Sequence, residues 1–282
     1  MKTTLSLAAA MAIALGVAGA PAQAEEGLYS GVDLLFLSPK VSNQGVNRIF
    51  YYGDTPTVTN EDGTIGSDLE FAQRVYLGYE GADGGGVRVR GFTFVYYVDY
   101  VGSVENGTVI SLAGSLNLDV DAIDAELTQN GAFRNWLWQG SAGVRWGRVS
   151  ARENAIIFED VPDFVCAGST GVEFEGAGPT FALQGQRPFL YDGLSLFGRG
   201  RTALLFGDTD IWSAFNSNGR YTLENDFAQV WEWQLGAELE CQFDAFDLVT
   251  AIFWEAQRWD SDSDYLGDLG FHGFGVRTGI EY

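Results

Sequence analysis

Residues 228–241 read AQVWEWQLGAELEC. Trp231, Trp233, Leu235, Ala237 and Leu239 fall on one side of an extended chain, and Glu232, Gln234, Gly236, Glu238 and Glu240 on the other. Successive side chains of a strand point to opposite faces, so this period of two predicts a β-strand with one apolar and one polar face. The closing stretch 271–282, FHGFGVRTGIEY, repeats the pattern. Phe274, Val276, Thr278, Ile280 and Tyr282 alternate with Gly273, Gly275, Arg277, Gly279 and Glu281. In 85–98, GGVRVRGFTFVYYV, Val87, Val89, Thr93, Val95 and Tyr97 alternate with Arg88, Arg90, Phe92, Phe94 and Tyr96.

Working outward from these three segments gives ten strands, at 28–37, 68–80, 87–98, 117–128, 134–149, 171–187, 194–206, 227–241, 247–258 and 271–282. The connections 81–86, 129–133, 188–193 and 242–246 are short, and the other five, such as 38–67 and 207–226, are long. An even strand number with short turns at one end and long loops at the other predicts an all-β, antiparallel transmembrane barrel with periplasmic turns and extracellular loops. Strand 117–128 changes phase after Val120, which predicts a bulge near Asp121. The glycine-rich stretch GADGGG at 81–86 joins two strands and is therefore a turn, not a phosphate cradle.

A soluble β-sandwich alternates too, and three features favour the barrel over it. Trp136, Trp138, Trp231, Trp233, Trp254, Tyr79, Tyr97 and Tyr282 lie on the apolar face, mostly near strand ends, where amphipathic rings meet the two bilayer interfaces. The opposite face is rich in Gly, Arg and Glu, which suits a polar lumen. Several strands reach ten residues, enough to cross a bilayer at a tilt.

The chain has 282 residues, with 38 Asp and Glu against 16 Lys and Arg, a net charge of −22 and a single histidine. That acidity argues against a nucleic-acid partner. Two cysteines make neither a disulfide scaffold nor a zinc site. Met1 and Lys2, the apolar run Leu5 to Val17 and the small-x-small triplet Ala22-Gln23-Ala24 predict a cleaved secretory signal over 1–24, with the barrel domain over 25–282.

GVDLLFLSP at 31–39, RVYLGYEGADGGGVRVRGFTF at 74–94, LDVDAIDAEL at 118–127, AGVRWGRV at 142–149, FEGAGPTFALQGQRPF at 174–189, LSLFGRGRTALLFG at 194–207 and GFGVRTGIEY at 273–282 occur in one order. Together they resemble the Legionella-type pore-forming major outer-membrane protein family. The similarity touches most of the mature chain and leaves out the loops. It implies an outer-membrane barrel of porin-like activity, and the C-terminal Tyr282, in phase with Ile280 and Val276, resembles the terminal signal of such barrels. Expected partners are outer-membrane lipid, small hydrophilic solutes or ions, and the barrel-assembly machinery during insertion. The oligomeric state is open.

An arginine facing lipid at mid-membrane costs about 2–4 kcal/mol. Arg74, Arg88, Arg90, Arg145, Arg199, Arg201 and Arg277 share the phase opposite the apolar residues. Glu232, Glu238, Glu240 and Glu281 share it too, as do Glu70, Glu80, Asp119 and Glu255. These are the expected pore-lining groups. Ten strands stand between barrels filled by side chains and barrels holding an aqueous channel. The sequence leaves two readings open, a narrow passive pore, favoured by the inward glycines and the resemblance, and a closed structural or loop-presenting barrel. Asp208, Asp210, Asp260, Asp262 and Asp264 fall in long loops and form an expected acidic vestibule, which would give a modest cation preference.

No catalytic residue, metal site or cofactor is assigned. His272 has no adjacent nucleophile motif and reads as an interfacial side chain. The Asp260, Asp262, Asp264 run lacks the glycine and the closing glutamate of a calcium loop, with Tyr265 in the glycine's place, and reads as a solvated acidic loop.

Overall fold

The computed structural model describes residues 26–41, 69–105, 109–159, 165–191, 193–214, 219–261 and 268–282. The secretory segment 1–24 lies outside them, as do Asp262 and Asp264. All ten expected strands form: β1 (Gly27–Val41), β2 (Glu70–Glu80), β3 (Gly85–Glu105), β4 (Val109–Phe133), β5 (Trp136–Glu159), β6 (Val165–Pro188), β7 (Leu194–Ser213), β8 (Gly219–Gln242), β9 (Asp247–Ser261) and β10 (Asp268–Glu281). Each pairs antiparallel with its chain neighbours, and β10 closes onto β1 to make a barrel. At the seam Asp33 stands opposite Arg277 and Leu37 opposite Gly273.

Three expectations about local structure change. Alternation runs on past the expected strand ends, so β3 with β4, and β7 with β8, continue as long ribbons and leave only 106–108 and 214–218 as connections. Asp208, Asp210 and Asp260 therefore stand on strands, not in loops. The turn expected at 129–133 is instead the two-residue Arg134-Asn135, with Arg134 at a φ of 56°. The register of β4 on both neighbours is continuous through Asp121. The register shift lies between Gly207 and Thr209 of β7, opposite Asn225, which has a φ of 62°. The turn expected at 81–86 forms over 81–84, with Gly85 and Gly86 already in β3. Gly84 adopts a φ of 75°, and Asp83 accepts a hydrogen bond from the Gly85 amide at 3.1 Å.

The apparent phase change in β4 has a different cause from a bulge. At membrane depth β4 turns Ile123, Ala125 and Leu127 outward and Asp124 and Glu126 inward. Beyond Ala122 the apolar residues Val120, Leu118 and Leu116 point inward and Asp121 and Asp119 point outward. The backbone phase never slips; the polarity of the two faces exchanges. The same exchange occurs where Arg145 gives way to Val149 and Ala151 in β5, and where Asp33 gives way to Leu35 and Leu37 in β1. The lower half is thus polar inside and apolar outside, and the upper half is apolar inside and polar outside.

The lower exterior carries Leu34, Val75, Val89, Ile123, Val144, Leu235, Ile252 and Phe274, all strongly exposed. A continuous belt of this kind matches a lipid-facing surface. Its lower edge holds Tyr79, Tyr282 and the stacked Trp136 and Trp138 rings, 5.6 Å apart. At its upper edge Tyr97 donates its hydroxyl to Asp99 at 2.7 Å and Trp146 donates its indole N–H to Glu175 at 3.1 Å. These are rings with one end in lipid and one polar handle in the wet layer. Leu235 sits within the belt, 61% exposed. Leu235→Arg should destabilise the barrel by about 2–4 kcal/mol in urea titrations in lipid, whereas Leu235→Phe should stay within about 1 kcal/mol of the parent.

Candidate functional site

The inward residues of the lower half bring the seven expected arginines together. Every one is buried: Arg145 is fully inaccessible, and even the most accessible, Arg199, is 9% exposed. Alternation places them inward, and lipid outside leaves them no other side on which to lie.

Their partners form two clusters. In the first, Asp33 of β1 accepts Arg277 Nε at 2.7 Å and Arg74 Nη1 at 3.0 Å. Arg74 spans the lumen from β2 to fork onto Glu255 of β9, with Nη1 at 3.0 Å from Oε2. Glu255 also accepts Gln234 Nε2 at 2.8 Å, and Arg277 donates to Gln234 Oε1 at 3.3 Å. The Arg277 guanidinium lies 5.3 Å from the Phe253 ring centre and 5.6 Å from that of Phe197. In the second cluster, Asp124 accepts Arg145 Nε at 2.6 Å and Arg90 Nε at 2.9 Å, while Glu232 accepts Nη2 of each at 2.7 Å. Glu126 holds Arg88, with Nη2 at 2.8 Å, together with Arg201 and the Ser141 hydroxyl. Arg201 reaches Glu126 across the lumen, from β7 to β4.

Glu232 and Glu255 are the expected carboxylates that enter this network. Glu238, Glu240 and Glu281 lie nearer the short-turn mouth and are more accessible; Glu238 accepts Gln186 Nε2 at 2.9 Å. Asp119, expected inward, points outward, because the apolar residues that flank it belong to the upper, inverted half. Three network carboxylates escaped the sequence reading, Asp33, Asp124 and Glu126. Their signal was present: Asp33 sits between Val32 and Leu34, and Asp124 and Glu126 interleave with Ile123, Ala125 and Leu127.

Above the network an apolar septum fills the lumen. Leu35, Phe94, Val120, Val149, Phe174, Leu205, Trp259 and Phe271 come from eight different strands, and each is at most 1–2% exposed. The Phe94 and Phe271 rings meet edge to face at 4.8 Å. Gly147 lets the Trp259 indole approach the wall; a Cβ there would stand 3.2 Å from its ring and 2.7 Å from Leu205 Cδ1. The three expected vestibule acids among the described residues do not stand over this septum. Asp208, Asp210 and Asp260 face outward on the exterior wall, where Asp208 accepts the Asn225 amide at 3.2 Å, Asp210 pairs with Arg220 at 2.7 Å and Asp260 pairs with Arg258. They alternate with the inward Gly207, Thr209, Ile211 and Trp259, and that phase fixes their direction. His272 is also outward, exposed on β10 between Ser38 and Ala256, and so is turned away from the lumen.

Breaking a buried ion pair from one side leaves the other charge uncompensated, at a cost of about 3–5 kcal/mol. Glu232→Gln should cost that much, since it leaves the two buried guanidiniums of Arg90 and Arg145 to share Asp124. Arg199 differs: its buried Nε and Nη2 meet no hydrogen-bond acceptor among the described residues. Arg199→Gln should therefore leave stability unchanged or raise it. Urea titrations of the two variants in the same lipid measure the contrast, and equal losses would contradict it.

No family model matches this chain, and no curated protein matches it. Among solved structures it resembles the outer-membrane protease OmpT from Escherichia coli, at 12% identity and a TM-score of 0.53, over 92% of this chain and 98% of that one. The Pseudomonas putida toluene transporter TodX aligns over 96% of this chain and 93% of that one at 10% identity, with a TM-score of 0.32. A Pseudomonas aeruginosa FadL homologue aligns over 91% and 88%, at 10% identity and a TM-score of 0.27. The OmpT likeness extends over the whole barrel, and the chain shares the fold of outer-membrane β-barrels.

Proposed function

We propose that this chain is an outer-membrane barrel of a Gram-negative-type bacterium, closed across its lumen, whose working surfaces are its exterior wall and outer loops. The observation that carries this reading is the burial of the lumen. A water-wide passage leaves the groups that line it accessible, yet the seven inward arginines are 0–9% exposed, and the septum above them admits still less. Paired charges and packed rings fill the bore, as in the smaller barrels. In this reading the network is a structural strut. Its partners are outer-membrane lipid and, during insertion, the barrel-assembly machinery.

A narrow, porin-like diffusion channel with a modest cation preference is the second reading. It is favoured by the inward glycines Gly31, Gly78, Gly236, Gly275 and Gly279, which keep the lower wall thin, and by the acidic periplasmic mouth of Glu80, Glu238, Glu240 and Glu281. A channel would need the septum to part. An enzyme reading draws on OmpT being a protease, at a likeness that speaks for the fold alone. The one histidine faces away from the lumen, which counts against a His-based centre there.

Planar-bilayer recording separates the two main readings. The parent protein should give no stepwise current, and the Phe94→Ala, Phe271→Ala double variant, which removes both rings of one edge-to-face pair, should give small steps. Each truncation costs about 3–5 kcal/mol, so the variant's folding is checked first by far-ultraviolet circular dichroism. Stepwise current from the parent, reversing on the cation side at low salt, would overturn the closed reading and establish the channel.

A further inference from the structure

The upper exterior wall carries a recess that neither the lumen nor its closure uses. Arg148 and Arg152 are outward residues of β5, Glu173 of β6, Asp210 and Trp212 of β7, and Arg220 belongs to β8. Together they line a cavity of about 460 Å³. Glu173 Oε2 is shared, at 3.0 Å from Arg148 Nη2 and 3.5 Å from Arg152 Nη2. Asp210 Oδ2 takes Arg220 Nη2 at 2.7 Å, and the Arg152 guanidinium stands 5.7 Å from the Trp212 ring centre. Arg152 is 51% exposed and Arg220 71%, so both side chains are open to the exterior.

The height of the recess on the wall identifies what it meets. Trp146 lies one outward position below Arg148, and its indole N–H, bonded to Glu175, marks the border of the apolar belt. Ile123, Val144 and Phe206 continue the belt beneath. The recess opens sideways over the lipid, at headgroup depth.

We propose that this recess seats a phosphate of an outer-leaflet glycolipid headgroup, a deduction that rests on the outer-membrane reading above. Guanidinium forks match phosphate oxygens in pairs, and three of them converge here. The indole of Trp212 offers a flat wall for a sugar ring. The same wall also carries Asp119, Asp121, Glu175 and Asp208, which together with Glu173 and Asp210 outnumber the arginines. A free anion approaching from solution is repelled by that excess. A lipid bearing several phosphates arrives with divalent counter-ions, whose oxygen coordination the flanking carboxylates complete. The charge mixture therefore selects a multiply phosphorylated lipid over free phosphate, and the belt below accepts its acyl chains.

Native mass spectrometry of the folded protein released from non-ionic detergent tests this, with magnesium and one of four probes: a bisphosphorylated glycolipid, its dephosphorylated form, phosphatidylethanolamine, or inorganic phosphate. The parent should retain one bisphosphorylated glycolipid and none of the others. Arg152→Gln with Arg220→Gln should reduce that retention about tenfold or more. Arg258→Gln, on the wall of β9, should leave it unchanged. Equal retention by the double variant, equal retention of the dephosphorylated lipid, or capture of inorganic phosphate would each overturn the site. Protease protection in vesicles is read in parallel. A barrel that fails to insert contradicts the membrane reading itself, whereas one that inserts but retains no glycolipid contradicts this site alone.

Discussion

A charge at the depth of the apolar belt has one place to go in this molecule, the lumen, and six of the seven inward arginines meet a partner of opposite sign there. Asp33, Asp124, Glu126, Glu232 and Glu255 supply those partners, and several of them reach across the barrel, not along its wall. Arg74 joins β2 to β9, Arg90 joins β3 to β8 and Arg201 joins β7 to β4. Such struts fix which strands face each other over the bore. They also fix register, since a slip of one residue would turn a guanidinium into lipid and its carboxylate partner with it. The exchange of a lumenal charge for solvent is closed by burial, so each pair depends on every strand that carries one of its members.

The second organising feature is that one barrel serves two solvents. Where lipid surrounds it, apolar side chains point out and polar ones in. Above the belt, where water surrounds it, the arrangement is that of a soluble barrel, with Phe94, Phe174, Leu205 and Trp259 inside and Arg148, Glu173 and Asp210 outside. The backbone carries both arrangements without a change of phase. The septum follows from this: a barrel that rises into water needs an apolar core to hold its upper half together, and that core lies across the bore.

How far the sequence could be read follows from the same inversion. Ten strands, their order and the direction of all seven arginines were legible, because strict alternation in 227–241 or 271–282 has one structural meaning. The outer strand ends were not, because there the apolar phase moves to the other face and a regular strand such as β4 looks interrupted at Val120. Asp208 and Asp210 read as loop residues for that reason. The network's acidic half was only partly legible. An isolated aspartate such as Asp33 shows its face by its neighbours, but which arginine it meets depends on cross-barrel register, and a single strand's pattern does not contain that. The recess on the outer wall joins four strands and was beyond any one segment's periodicity.

The clasp at the seam bears on the order in which the barrel is made. Asp33 lies in the first strand and Arg277 in the last, 244 residues apart, and Arg74 binds the same carboxylate from β2. In a chain made from its N-terminus onward, the first two strands are available long before their third participant. Until β10 arrives, Asp33 has half its compensation and β1 has a bare edge. The last strand therefore delivers two things in one step, the hydrogen-bond ladder that abolishes the edge and the guanidinium that completes the clasp. A chain cut short before Arg277 lacks both, which makes the final residues a check on completeness built into the wall itself.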